Sequence, residues 1–155
     1  MNDNQRNEGK VFTVEQANHV LPLIRSIVKD LVELSREVID RRQRVSELRA
    51  TRKENSTGVY ADELRQAEAE LEHDAEQLQE YITELRNLGV EPKSGPDGLV
   101  DFPSMIDGRV VYLCWKLGEP EVLHWHELDA GFAGRQPLVA ESNTGGEPLD
   151  GSSAE

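Results

Sequence analysis

Two runs of apolar residues spaced by threes and fours limit what this chain can fold into. Ile27, Leu31, Leu34, Val38, Val45 and Leu48 make the first run, with Arg41 at the one seam position between Val38 and Val45, and Leu64, Ala67, Leu71, Ala75, Leu78, Ile82 and Leu85 make the second. That spacing lays a narrow apolar seam along one face of a helix, as in a coiled coil. Ser56, Thr57 and Gly58 interrupt the pattern between the runs, and Gly89 stands where a helix stops. The spacing therefore predicts a long antiparallel helical hairpin over 13–88. Thr13 and Gln16 have capping-box spacing at its start, with Phe12 placed to pack on Ala17. Pro22 removes a backbone donor inside the first run, which predicts a kink there, or a short first helix followed by a long one.

Charge agrees with this pairing. Arg41, Arg42, Arg44, Arg49, Arg52 and Lys53 occupy the far half of the first helix, while Glu63, Glu68, Glu70, Glu72, Asp74 and Glu76 occupy the near half of the second. In an antiparallel hairpin these stretches lie side by side. Arg41 interrupts the apolar seam, a position where a polar residue fixes register. The basic run does not read as a nucleic-acid patch, because its acidic neighbour cancels the field, and the whole chain carries 30 acidic against 17 basic residues, a net charge of −13. Neither nucleic acid nor an anionic membrane is expected as a partner.

Composition changes after Gly89. Pro92, Ser94, Gly95, Pro96, Asp97 and Gly98 are turn residues, and short β-type runs follow. Leu99 to Phe102 reads as a short strand, Arg109 to Lys116 as a longer one, and Glu121 to Glu127 as its hairpin partner across Leu117-Gly118-Glu119-Pro120. Leu128 to Leu138 reads as a structured loop. The expected class is α+β, a single domain over 11–138 with a helical hairpin (13–88), a small antiparallel β region (90–138), and disordered tails at 1–10 and 139–155, the second acidic. No stretch is apolar enough to span a bilayer, and the start lacks the pattern of a signal peptide, so a cytoplasmic location is expected.

The β region holds the residues with chemistry. His124 and His126, two apart on a strand, point the same way, an arrangement suited to a divalent metal ion, with Asp129 just beyond as an oxygen ligand. Histidines held by hydrogen bonds are the bland alternative. Cys114, the only cysteine, rules out an internal disulfide and reads as a buried thiol unless a histidine reaches it. Gly131 to Arg135 is a glycine-containing turn that would hold an anion with Arg135, or be tied by Arg135 to Asp129 or Glu127.

Four motifs then point to a known family. Phe12-Thr13-Val14-Glu15-Gln16-Ala17-Asn18 with Leu21-Pro22-Leu23, Gly98-Leu99-Val100-Asp101-Phe102-Pro103, Val111-Tyr112-Leu113-Cys114-Trp115 with Leu117-Gly118-Glu119, and Trp125 through Pro137 resemble the bacterial domain of unknown function 2203 family over residues 11–138. The resemblance carries no established activity. It draws attention to the motif positions Glu15, Asn18, Asp101, Arg109, Cys114, Trp115, Glu119, His126, Glu127, Asp129 and Arg135, many of them polar. His124 departs from the family's pattern, so a metal site is expected at His126 with carboxylates from Glu15, Asp101, Glu119, Glu127 or Asp129, and an anionic ligand at Arg135, Arg109 and Asp101. The expected place for both is the junction of the helices with the sheet. A rival reading is an interaction module without catalytic activity, in which Ile24, Val28, Val32 and Ile39 pair with another chain to make a homodimer or four-helix bundle. An enzyme using a histidine and a carboxylate as general base is a third.

Overall fold

The computed structural model describes residues 10–54 and 58–138, with side chains omitted for 52–54. Helix α1 (Val14–Glu54) and helix α2 (Gly58–Asn87) form the hairpin. Strands β1 (Glu91–Ser94), β2 (Leu99–Ile106), β3 (Arg109–Lys116), β4 (His124–His126) and β5 (Gln136–Pro137) follow as one antiparallel sheet in the order β1-β2-β3-β4-β5. The architecture is α+β. The expected tails lie outside the described residues apart from Lys10.

The capping box forms as its spacing requires. The Gln16 amide donates to Thr13 Oγ1 at 3.0 Å and the Thr13 amide to Gln16 Oε1 at 3.0 Å. Pro22 lies within one continuous helix, so the alternative of a separate short first helix is not realised. The main core joins Phe12, Ala17, Leu21, Ile24, Val28, Leu31 and Val32 to one face of the sheet, represented by Val100, Phe102, Leu113, Trp115 and Trp125. This corrects the expectation that Ile24, Val28 and Val32 await another chain. They form a second stripe, at spacings of four, which α1 turns to the sheet while its seam faces α2. Ile39 alone of that set is exposed.

Beyond the sheet the hairpin continues around a smaller cluster of Val45, Leu48, Leu64 and Ala67. Between the two clusters stands an ion pair of Arg41 with Asp74, and Asp74 is buried. The second seam therefore passes through Asp74, and Ala75, expected there, is exposed. Asp74 lies seven positions after Ala67, so the heptad is kept and its polar member answers Arg41 across the hairpin. Around it, Arg44 pairs with Glu63 and Arg49 with Glu68 at 2.6 Å, as the charge pattern requires. The side chains of Arg52 and Lys53 lie outside those described.

The sheet departs from expectation in three places. Glu91–Ser94, read as turn, is a strand with a bulge between Pro92 and Ser94. Strand β4 is three residues long, and the 128–138 loop contains a 3₁₀ turn (Phe132–Gly134) before β5. Strand β2 runs on through Pro103 to Ile106. A proline fits there because the Pro103 carbonyl accepts from the Phe12 amide at 2.7 Å on the side away from β3, and the N and O of a strand residue point to the same side. No bond to β3 is lost. Gly98 (φ 68°) precedes β2, where a Cβ would stand 2.7 Å from that of Leu117.

Candidate functional site

Alternation along the strands decides which side chains meet. Val100 and Phe102, Leu113 and Trp115, and Trp125 point to the helices, so Asp101, Cys114, and His124 with His126 point to the opposite face. Asp101 is paired in register with Cys114, and Cys114 with His124. Although turned away from the core, Asp101, Cys114 and His126 are buried, at 1%, 0% and 2% exposure. The Asp101 oxygen, Cys114 Sγ and a His126 nitrogen all lie within 4.8 Å of one another. Three strands each supply one donor atom of a different kind.

Hydrogen bonds orient the imidazole. His126 Nδ1 lies 2.7 Å from the Glu127 carbonyl, which only accepts, so Nδ1 carries a hydrogen and donates. Nε2 lies 3.1 Å from Asp101 Oδ1, and one proton shared between them completes that contact. Burial pushes the Asp101 carboxyl above its ordinary range, opposed by the hydrogen bond and charge of His126 and more weakly by Lys93 and Cys114. The Cys114 thiol is pushed up to about 12, first by burial and then by the Asp101 charge, with Arg135 opposing.

A lid covers the cluster. Arg135 pairs with Glu119 and donates to His124 Nδ1, and its Nη1 reaches to 4.0 Å of Cys114 Sγ. Its guanidinium also stacks 4.7 Å from the Phe132 ring centroid. Glu119 is fixed in turn, since its Oε1 accepts from the Lys116 amide at 2.9 Å. Gly118, with φ 107°, lets the chain make that turn. The Tyr112 ring packs on the His126 ring with centroids 5.5 Å apart. A thiol so covered, and protonated at neutral pH, is expected to resist iodoacetamide at pH 8 in the folded protein and to react fully in urea. Rapid alkylation without denaturant would contradict this burial.

The structure distributes the expected ligands differently from the sequence reading. His126 and Asp101 meet. Glu119 is near but engaged with Arg135, and Glu127 pairs with Arg109 at 2.8 Å. Arg135 is therefore tied neither to Glu127 nor to Asp129. Asp129 is exposed and makes no ion pair among the described residues, and Glu15 lines an open groove with Lys10, His19 and Glu121. The polar motif residues thus do not gather between helices and sheet. Asn18 is the one that bridges them, its Oδ1 accepting from the Val122 amide at 2.7 Å. Cys114 is the member that the metal reading of the sequence left out; the signal was its place on an outward-facing strand position opposite Asp101, visible only once the strands are in register.

A family model described as an uncharacterized conserved protein, domain of unknown function 2203, matches residues 10–138, and the chain belongs to that family. Neither the curated proteins nor the solved structures contain a match.

Proposed function

We propose that this member of the domain of unknown function 2203 family binds a divalent transition metal of the zinc class through Asp101, Cys114 and His126. The observation that carries the reading is the convergence of a carboxylate oxygen, a sulfur and an imidazole nitrogen within 4.8 Å in a buried place. Zinc accepts such a mixed set at bond lengths of about 2.0–2.3 Å; the Asp101 and His126 atoms already stand 3.1 Å apart, so it is chiefly the Cys114 sulfur that would draw in toward them. His126 suits the role because its Nδ1 is anchored on the Glu127 carbonyl, which leaves Nε2 as the ligating atom. Asp101 and Cys114, both ionised, would balance the charge of the ion. Arg135 would donate to the thiolate from outside the ligand set.

Loading displaces the thiol hydrogen and the proton shared by Asp101 and His126. Uptake therefore releases protons and weakens as pH falls. The test is elemental mass spectrometry on untagged protein purified without chelator, with cobalt titration of the metal-free form read by thiolate-to-cobalt absorption. About one ion per chain is expected for the wild type. Cys114→Ser is expected to lose the absorption, and His126→Ala to lose the metal, with folding followed by circular dichroism. Folded wild-type protein that takes up neither zinc nor cobalt refutes the proposal, and the cluster is then a buried hydrogen-bond network alone.

A further inference from the structure

The two sides of the helical hairpin differ in chemistry. On one side, two hollows of about 350 and 550 Å³ adjoin at Arg42 and run between the helices. Their apolar lining comes from Leu31, Val38, Ile39, Leu78 and Ile82 in the first, and from Val45, Ala50 and Leu71 in the second. The charged residues that line them are Arg42, Arg49, Arg86 and Lys93, with no acidic side chain. In a chain of net charge −13 this is a local reversal of sign. The hollow lined by Arg41, Gln66, Ala69, Glu70, His73 and Asp74 is the contrast, with two carboxylates and alanine as its apolar residue.

We infer that the Arg42 groove docks an amphipathic helix of a partner protein, one that carries acidic side chains on either side of an apolar stripe. Length argues for a helix, since from Leu31 to Ala50 the groove follows α1 for roughly 28 Å. A third helix laid between two antiparallel ones is also the ordinary way to cover such a seam. Charge argues for acidity. Arg42 and Lys93 are exposed and make no ion pair among the described residues, while Arg49 and Arg86 are already engaged, each donating two hydrogen bonds, to Glu68 and to Glu91. Ile39, half exposed beside Arg42, is the apolar anchor. A second copy of the chain fits poorly. Laid groove to groove, two copies would set Arg42 and Lys93 against the same basic lining, and the exposed residues of α2 between Tyr60 and Asn87 include no apolar side chain larger than alanine to enter the groove instead.

The inference does not depend on metal binding at Asp101. Its test uses the full chain and a synthetic helical peptide of three heptads with leucine at the a and d positions and glutamate beside them, against the same peptide with glutamine for glutamate. Fluorescence anisotropy is expected to show saturable binding of the glutamate peptide that weakens with salt. Arg42→Glu is expected to weaken it about tenfold, the scale of one lost charge-assisted contact. Ile39→Ser, also at an exposed position, is expected to weaken both peptides. Equal affinity for the two peptides, or binding indifferent to Arg42→Glu, overturns the inference. So does self-association in sedimentation that Arg42→Glu abolishes, since the occupant is then a second copy.

Discussion

Replacing His126 with leucine is expected to lower the unfolding free energy of chelator-treated protein by about 3 kcal/mol, read from urea denaturation. The substitution fills the space but leaves the Asp101 carboxyl, with its side chain 2% exposed, without the imidazole 3.1 Å away. It also removes one of two donors to the Glu127 carbonyl, which keeps the Ala130 amide at 3.1 Å. Asp101→Leu combined with His126→Leu is expected to recover most of the loss, since an apolar pair leaves no polar group buried alone. The deficit has a direction in pH. Burial raises the Asp101 carboxyl, so the folded chain holds that proton more tightly than the unfolded chain does, and stability from this group is lost as pH rises through the folded value. Without His126 to oppose burial the shift grows, so the deficit is larger at pH 8 than at pH 4. A deficit that is small and flat with pH would mean that the two groups are not coupled.

Trp115→Ala is the second large effect, about 4 kcal/mol for an emptied core position. Trp115 is fully buried against the helices, and its Nε1 donates to the Glu119 carbonyl at 3.0 Å. Arg25 sits over the ring at 5.8 Å while donating to the Pro120 carbonyl at 3.2 Å. The indole thus holds the turn from which Glu119 reaches Arg135, the cover of Cys114. Loss of stability is accordingly expected together with measurable alkylation of Cys114 under conditions that still favour the folded state. Trp115→Phe keeps most of the volume and is expected to cost much less. A destabilised variant whose thiol stays as slow as wild type would separate the core from the lid.

Helices were legible in the sequence because their signals are local. The Thr13 cap, the heptad spacing and the sign of the charges each depend on residues a turn or two apart. The same locality misled at two points. A seam with Ala75 in it is the natural reading of apolar residues, and only the partner helix shows that a buried aspartate belongs there. Ile24, Val28 and Val32 looked spare while the sheet that covers them had no position. In the β region, alternation placed His124 and His126 on a common face, but which carboxylate they meet depends on register across three strands. That register set Asp101 opposite Cys114 and left Glu119, Glu127 and Arg109 in ion pairs of their own. Strand β1 was hidden by its one proline and its serine, residues that mark turns in isolation and are accommodated here at a sheet edge with a bulge.

The polar layer of Arg41 and Asp74 divides the hairpin into a part that is core to the sheet and a part that is core only to itself. Length in the outer part is consequently a free variable of the architecture. Matched insertion or deletion of one heptad in each helix beyond Arg41 moves the tip by about 10 Å and leaves every residue around Cys114 where it stands. The outer hairpin is in this sense a ruler graduated in heptads, fixed at one end to a sheet whose buried Asp101, Cys114 and His126 do not register its length.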